Sequence, residues 1–110
     1  MTSHDDFTDT RRCVVATVRA LLKDDLRTAR HLPTLVDDAR EFADVSIGLL
    51  QAVCQLYPVA AASIKAPPPT SDARQAGYVA CQLAMLVLRG GAGTQAPRLL
   101  ETLAYRMATT

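Results

Sequence analysis

The chain has 110 residues, of which 49% are hydrophobic and 21% charged, a balance typical of a globular domain and unlike a disordered segment. Its formal net charge of +1 provides no overall field that would attract nucleic acid or an anionic membrane. We therefore expect a single domain over residues 1–110 that has no nucleic-acid partner and no membrane partner.

The cysteines and the N-terminus indicate a cytoplasmic protein. Cys13, Cys54 and Cys81 are far apart and odd in number, which does not fit a disulfide framework. The segment from Met1 to Asp9 lacks the basic start and the apolar core of a signal peptide. The uncharged stretch from Val45 to Ile64 is too polar and too interrupted for a membrane span, so it predicts a buried helix instead.

The first half of the chain predicts two long helices. The first covers about residues 4–31, ends before Pro33, and has apolar residues at three- and four-residue spacing: Phe7, Val14, Val18, Leu21, Leu22, Leu26 and Ala29. The second covers residues 34–63 and begins with a capping box of Thr34 and Asp37. Its second half is apolar on nearly every side, which predicts the central buried helix. We expect Pro58 to kink or end it.

The second half of the chain predicts two shorter helices after a stiff proline-rich connector, Ala66–Thr70. One covers residues 72–89, starts at Ser71 or Asp72, and is capped by Gly90 and Gly91. Its small residues would permit close approach of a neighbouring helix: Ala73, Ala76, Gly77, Ala80 and Ala84. The other covers residues 95–108, with Pro97 in its first turn. Together the elements predict an all-α fold, a four-helix bundle.

No sequence motif strongly indicates a catalytic, metal-binding or nucleotide-binding site. The glycine-rich run 90–94 could cradle a phosphate, but a nucleotide-binding loop needs a lysine that is missing here, so a flexible turn is favoured. A cysteine nucleophile needs a histidine within hydrogen-bond reach, and His4 and His31 both lie at predicted helix ends. No pair of ligand residues has zinc-binding spacing. The sequence therefore predicts a non-enzyme without catalytic residues, metal or cofactor.

A basic stripe on the first predicted helix is the candidate partner-binding site. Four basic residues project within about 40° of one another on a helical wheel, with a fifth at the margin: Arg12, Arg19, Lys23, Arg30 and, at the margin, Arg27. Such a stripe could contact an acidic protein surface, nucleic-acid phosphates, anionic lipid or the acidic start of the second helix, although a face that contacts only solvent is favoured. Nucleic acid is disfavoured because no aromatic residues are interleaved with the basic ones.

Two segments carry a resemblance to a known group of proteins. The run from Ala20 to Arg30, ALLKDDLRTAR, and the segment from Ala43 to Cys54 resemble small all-helical uncharacterised proteins of actinobacteria and their phages. The resemblance implies a helical bundle with a non-enzymatic role, and it transfers no site residue.

These patterns favour a non-enzymatic protein–protein interaction module. It would be a regulatory or phage-encoded protein that binds a cellular target, and it would form a homodimer, since its second and third helices are more apolar than one bundle needs. The alternative is a small-ligand-binding bundle with an apolar pocket between those two helices. A cysteine enzyme is a third possibility, and it would require a cysteine close to a histidine.

Overall fold

The computed structural model describes the backbone of residues 3–65 and 68–109, and the side chains of residues 10–65 and 68–107. These residues contain no strand, so the predicted all-α fold is confirmed. The α-helices are α1 (Ser3–Leu22), α2 (Leu26–His31), α3 (Ala39–Leu56), α4 (Pro58–Ala62), α5 (Ala73–Ala92) and α6 (Ala96–Thr109). Turns of 3-10 helix cover Leu32–Leu35 and Gly93–Gln95. No helix in this part of the chain has both the length and the apolar character needed to cross a bilayer.

Helices α3 and α5 run in the same direction. Near their first turns, a Cβ atom placed on Gly77 would lie 2.5 Å from Cδ2 of Phe42. At their opposite ends, a Cβ atom on Gly91 would lie 2.2 Å from Cγ of Tyr57. The start of one helix is therefore beside the start of the other. The close approach predicted from small residues on the third helix is confirmed at Gly77.

Helix α1 is parallel to α5 and antiparallel to α6. The guanidinium of Arg89, near the end of α5, donates to the carbonyl oxygens of Leu21 and Leu22 at the end of α1. Near the start of α5, Arg74 donates to the carbonyl oxygen of Pro33, whose neighbour Leu32 accepts from the Cys13 thiol, earlier in α1. Arg19 of α1 pairs with Glu101 of α6, and Arg11, nearer the start of α1, donates to the carbonyl oxygen of Met107, later in α6. The helices α1, α3 and α5 therefore share one direction, and α6 opposes them.

Because α1 and α3 are parallel, the chain has to return between them, and this return breaks the first predicted helix. The prediction of one helix over residues 4–31 is wrong: α1 ends at Leu22, and Asp24 has a left-handed backbone with φ 59°. Asp25 then caps α2 by accepting a hydrogen bond from the Thr28 amide at 3.3 Å. The side chain of Phe7, the first residue of the predicted apolar spacing, lies outside the described residues.

The second predicted helix, residues 34–63, is also shorter than expected. Thr34 lies in a 3-10 turn, and Asp38 is the residue that caps α3, accepting from the Glu41 amide at 3.0 Å. The helix ends at Leu56, and α4 begins separately at Pro58. Proline lacks an amide proton and pushes the preceding residue out of helical geometry, and Tyr57 accordingly has φ −131°. The expectation that Pro58 interrupts the helix is confirmed.

The third and fourth predicted helices are close to those observed. Asp72 caps α5 by accepting from the amides of Arg74 and Gln75. The prediction that Gly90 and Gly91 cap this helix is wrong, because it continues to Ala92 and ends at Gly93, whose φ is 57°. Pro97 lies in the first turn of α6, as predicted. Of the predicted connector, Ala66 and Pro67 lie outside the described residues, and residues 68–70 form no helix or strand.

The core is built around α5 and not around the second predicted helix. Helix α5 contacts α1, α3, α4 and α6, and its buried residues are Gly77, Ala80, Cys81, Ala84, Val87 and Leu88. Helix α3 buries only one side, while Ile47, Gln51 and Gln55 are exposed. Large, fully buried side chains from α1, α3, α5 and α6 meet in one cluster that includes Val14, Val18, Leu21, Phe42, Val53, Val87, Leu88 and Leu100.

Candidate interaction surfaces

The predicted basic stripe is divided by the turn after α1. Arg12 and Arg19 belong to α1, Lys23 lies in the turn, and Arg27 and Arg30 belong to α2, which carries the chain back towards the start of α1. The helical projection that aligned these residues assumed one continuous helix. The structure therefore does not bring the five side chains together on one face of a helix.

Arg19 forms an intramolecular ion pair with Glu101 of α6. Its Nη2 lies 2.5 Å from Oε2 and 2.9 Å from Oε1, and its Nε lies 3.2 Å from Oε2. The pair links α1 to α6 at the surface, with 39% and 55% of the two side chains exposed. The other four basic residues of the predicted set are exposed.

Two arginines outside the predicted basic stripe hold the return segments in place. Arg74 of α5 donates through Nη1 to the carbonyl oxygen of Pro33, and to that of Val36 at 2.7 Å. Arg89 donates through Nη2 to the carbonyl oxygens at the end of α1, at 3.3 Å and 3.0 Å, and to Oδ1 of Asp24 at 3.2 Å. These contacts connect residues far apart in the chain, so no local spacing indicates them.

An exposed apolar surface lies where α3, α4 and α5 meet. We call it the apical patch and define it by Leu56, Val59 and Leu86, which are 46%, 86% and 44% exposed. These three side chains border one concavity of about 580 Å³, whose other described lining residues are Tyr57, Pro58, Ala60, Ser63, Gly90 and Gly91. No charged residue lines it among those described, so it favours an uncharged, apolar partner surface.

A second concavity separates α3 from α6, and we call it the α3–α6 groove. Its volume is about 580 Å³, and its apolar lining consists of Val45, Leu49, Ala52, Leu103 and Met107. Glu41 and Asp44 border it on α3, while Arg11 and Arg106 border it on α1 and α6. A Cβ atom added at Gly48 would meet nothing within 4 Å, so the groove is open beside α3.

The apolar pocket predicted between the second and third helices has a counterpart at their ends. The concavity beside the apical patch is lined by residues between 56 and 63 of the second predicted helix and by Leu86 of the third. At the first turns of α3 and α5, by contrast, the Phe42 ring fills the space beside Gly77 so closely that no cavity remains at that point. Further along the same interface, the thiol of Cys81 lies 3.4 Å from the Ser46 hydroxyl, and both side chains are fully buried. The α3–α6 groove lies along a different side of α3 and shares no lining residue with that concavity.

The cysteines have the properties of packing groups. Burial raises the pKa of the Cys81 thiol to about 12, and it also raises the pKa of Cys13. A cysteine nucleophile needs a lowered pKa, which is the opposite direction. Cys13 donates to the carbonyl oxygen of Leu32 at 3.1 Å, and no hydrogen bond joins a cysteine to His31 among the described side chains. The side chain of His4 is outside them.

Searches for a metal site and for relatives gave no lead. No group of three histidine, cysteine or acidic side chains in the described part of the chain is placed to hold a metal ion. Comparisons with models of protein families, with curated proteins and with solved structures found no match. The function proposed below therefore depends on the geometry of the surfaces.

Proposed function

We propose that the protein is a non-enzymatic helical interaction module that acts in the cytoplasm by binding protein. Its four long helices, α1, α3, α5 and α6, would form a four-helix bundle that presents the binding surface. The observation that carries the proposal is the apical patch, in which Leu56, Val59 and Leu86 are exposed together without a charged neighbour among the described lining residues. Apolar side chains gathered in this way mark interaction sites more often than scattered ones do.

The occupant that we propose for the apical patch is a second copy of the chain, in a two-fold symmetric dimer. In such a dimer the same patch meets itself, so a charged patch would repel its copy, whereas an uncharged one does not. The segments that contain the patch residues are also uncharged: no charged residue occurs from Val45 to Ile64 or from Gln75 to Leu88. A stable interface buries roughly 600–1,000 Å² on each partner, so neighbouring uncharged residues such as Gln55 would have to contribute.

The dimer is tested by light scattering coupled to size exclusion over a range of protein concentrations. We expect a dimer at high micromolar concentration, and a monomer for Val59→Glu because a carboxylate would be buried opposite its own copy. Leu35→Glu is the matched control: Leu35 is 61% exposed but lies outside the apical patch, so this variant should remain dimeric. A wild-type protein that stays monomeric at every concentration contradicts the dimer.

Within the same proposal, the dimer would engage a cellular target through exposed basic residues, as a regulatory or phage-encoded protein would. Arg12, Lys23, Arg27 and Arg30 are exposed and suit an acidic protein surface. Affinity capture from the native host tests this part separately. We expect a set of proteins to be retained by the wild type, released by added salt, and lost after reversal of these four residues to Glu. Identical capture by both baits contradicts it.

The α3–α6 groove supports a second candidate function, the binding of a small apolar ligand. Its volume of about 580 Å³ is within the usual range for ligand pockets, and its lining is mainly apolar. The dye 1-anilinonaphthalene-8-sulfonate is a suitable probe. We expect saturable binding that Gly48→Leu blocks by filling the groove and that Val59→Glu leaves unchanged. Equal loss of binding in both variants, or no saturable binding, contradicts this function.

A further inference from the structure

A polar cleft lies between α2, the following 3-10 turn and the first half of α5. Its volume is about 440 Å³, and its lining includes Arg30, Arg74, Tyr78 and Gln82. It is separate from the apical patch and from the α3–α6 groove, with which it shares no lining residue. Of its lining residues, only Arg30 belongs to a surface proposed above, the exposed basic residues that would contact a cellular target.

Arg74 is fixed in position by the backbone that surrounds the cleft. Both of its hydrogen bonds to carbonyl oxygens, those of Pro33 and Val36, start from Nη1. The Nε and Nη2 groups form the other edge of the planar guanidinium, and they donate to no group among the described residues. That edge is the one that binds a carboxylate or phosphate with two parallel hydrogen bonds. Because Arg74 is already held, ordering it for a ligand costs little conformational entropy.

The cleft also carries a net positive charge. Within the described part of the chain, neither Arg30 nor Arg74 forms an ion pair with a carboxylate. Asp72 is the acidic residue in the lining, and its carboxylate caps α5 by accepting from two backbone amides. Two arginines and one carboxylate leave the cleft net positive, and Tyr78 and Gln82 add neutral donors.

We propose that this cleft binds a phosphate group, either as free inorganic phosphate or as a phosphate monoester on another molecule. The Nε and Nη2 edge of Arg74 holds two phosphate oxygens, and Arg30 supplies the second positive charge. The hydroxyl of Tyr78 donates to a remaining oxygen. The proposal is independent of the apical patch, because it involves no residue of that surface.

The test follows the side-chain Nε–Hε signal of Arg74 by NMR during titration with inorganic phosphate at constant ionic strength. We expect a saturable shift for the wild type. Arg30→Gln should weaken binding about tenfold, the usual consequence of removing one charge-assisted contact. Arg27→Gln is the matched control, since Arg27 is also an exposed arginine of α2 but does not line the cleft, and its affinity should be unchanged.

Variants of Arg74 itself would disturb the backbone contacts of Pro33 and Val36, so Tyr78→Phe serves as the second cleft variant. We expect it to weaken phosphate binding while leaving the thermal unfolding midpoint without phosphate nearly unchanged. The proposal is overturned if phosphate causes no saturable shift, or if Arg27→Gln weakens binding as much as Arg30→Gln does. The latter result would mean diffuse screening of surface charge.

A second titration, with a phosphoserine peptide and its unphosphorylated counterpart, identifies the source of the phosphate. Tighter binding of the phosphopeptide than of inorganic phosphate supports a site that recognises a phosphorylated protein partner. Equal binding of the two supports a site for the free anion. Binding of the unphosphorylated peptide as tightly as the phosphopeptide contradicts the proposal, because the cleft would then recognise something other than phosphate.

Discussion

The ring of Phe42 occupies the space in which a side chain at Gly77 would begin. An added Cβ atom would lie 2.5 Å from Cδ2 and 2.6 Å from Cε2 of that ring, and the ring is fully buried. Because the surrounding core prevents the ring from moving aside, α3 and α5 can approach this closely only while residue 77 lacks a side chain.

Gly77→Ala should therefore destabilise the protein, even though alanine favours a helix more than glycine does. The gain in helix propensity is about 1 kcal/mol, and overpacking of a core costs about 1–3 kcal/mol, so we expect a net loss of roughly 1 kcal/mol. Urea denaturation followed by circular dichroism measures it. Gly48→Ala is the control: its added methyl group would meet nothing within 4 Å, so it should stabilise by about 0.5–1 kcal/mol. Stabilisation by both variants would contradict the close packing.

Cys81 should make stability depend on pH in the alkaline range. Its pKa is about 12 in the folded protein, against 9.0 for an ordinary thiol, so the unfolded chain loses this proton first as the pH rises. The contribution of the buried thiol is complete below pH 9.0 and is lost as the pH rises towards about 12. The free energy of unfolding should fall by up to about 1.4 kcal/mol per pH unit in this window from Cys81 alone.

Cys81→Ser tests that dependence, because serine can still hydrogen-bond to Ser46 but does not titrate. Denaturation at a series of pH values should give a shallower decline for the variant than for the wild type. Parallel declines would show that Cys81 contributes nothing to the alkaline slope. An alkylating reagent offers a second measurement, since modification of Cys81 should occur only as fast as the protein unfolds.

Arg89→Met should destabilise the end of α1. The variant keeps an apolar stem but loses the donor to the carbonyl oxygen of Leu22, and to that of Leu21, which still accepts from the Asp24 amide. We expect a loss of about 1 kcal/mol in the free energy of unfolding, since the guanidinium is partly exposed. Asp24→Asn is the control, because it removes the ion pair with Arg89 and leaves the arginine in place. Asparagine also tolerates the left-handed backbone at this position. This substitution should lower the free energy of unfolding by less than about 0.5 kcal/mol.

The Arg19–Glu101 ion pair should contribute about 0.5–1 kcal/mol at low salt and less at high salt, because both side chains are partly exposed. A double-mutant cycle with Arg19→Met and Glu101→Gln, measured by chemical denaturation at two salt concentrations, gives the coupling energy. A coupling of zero at low salt would contradict the role of the pair in joining α1 to α6. Reversal of Arg19 in a binding experiment would also disturb this pair, which is why the four other basic residues are the ones to reverse.

The apolar spacing of the sequence was sufficient to predict the helical class and the burial of Val14, Val18, Leu21 and Ala29. It could not locate the break after α1 or predict that Leu26 is 48% exposed. Leu22, Leu26 and Ala29 continue the spacing of Val14 and Val18, so the periodicity runs across the turn without interruption. The turn is stabilised from outside, by Arg89 of α5, and a contact between residues this distant leaves no local pattern.

The start of α3 was ambiguous for a related reason. Thr34 and Asp38 are both acceptable N-caps, and local rules do not choose between them. Arg74 decides the outcome, because its hydrogen bonds to Pro33 and Val36 hold the segment that contains Thr34 in a 3-10 turn. The cleft proposed to bind phosphate could not be predicted from the sequence either. Arg30 and Arg74 are distant in the chain and line one cleft only in the folded protein.

The apical patch could not be predicted because its apolar residues resemble core residues. Leu56 completes the seven-residue repeat of Phe42 and Leu49, which are fully or almost fully buried, yet 46% of Leu56 is exposed. Pro58 ends the helix one turn after the core side chains, so Leu56 and Val59 lie beyond the neighbours that would cover them. A run of apolar residues indicates that these side chains favour a nonpolar contact. Whether that contact lies in the core of the protein or on its surface depends on where the helix ends.

The parallel direction of α3 and α5 has a consequence for how the chain folds. Partners across this interface, such as Phe42 and Gly77, are separated by about 35 residues, so their contacts require closure of a long loop and an entropic cost that neighbouring helices avoid. Helices α5 and α6, joined by one short turn, can form a hairpin without that cost. We expect α5 and α6 to associate early and the docking of α3 to limit the folding rate, which should be lower than that of an up-and-down bundle of equal length.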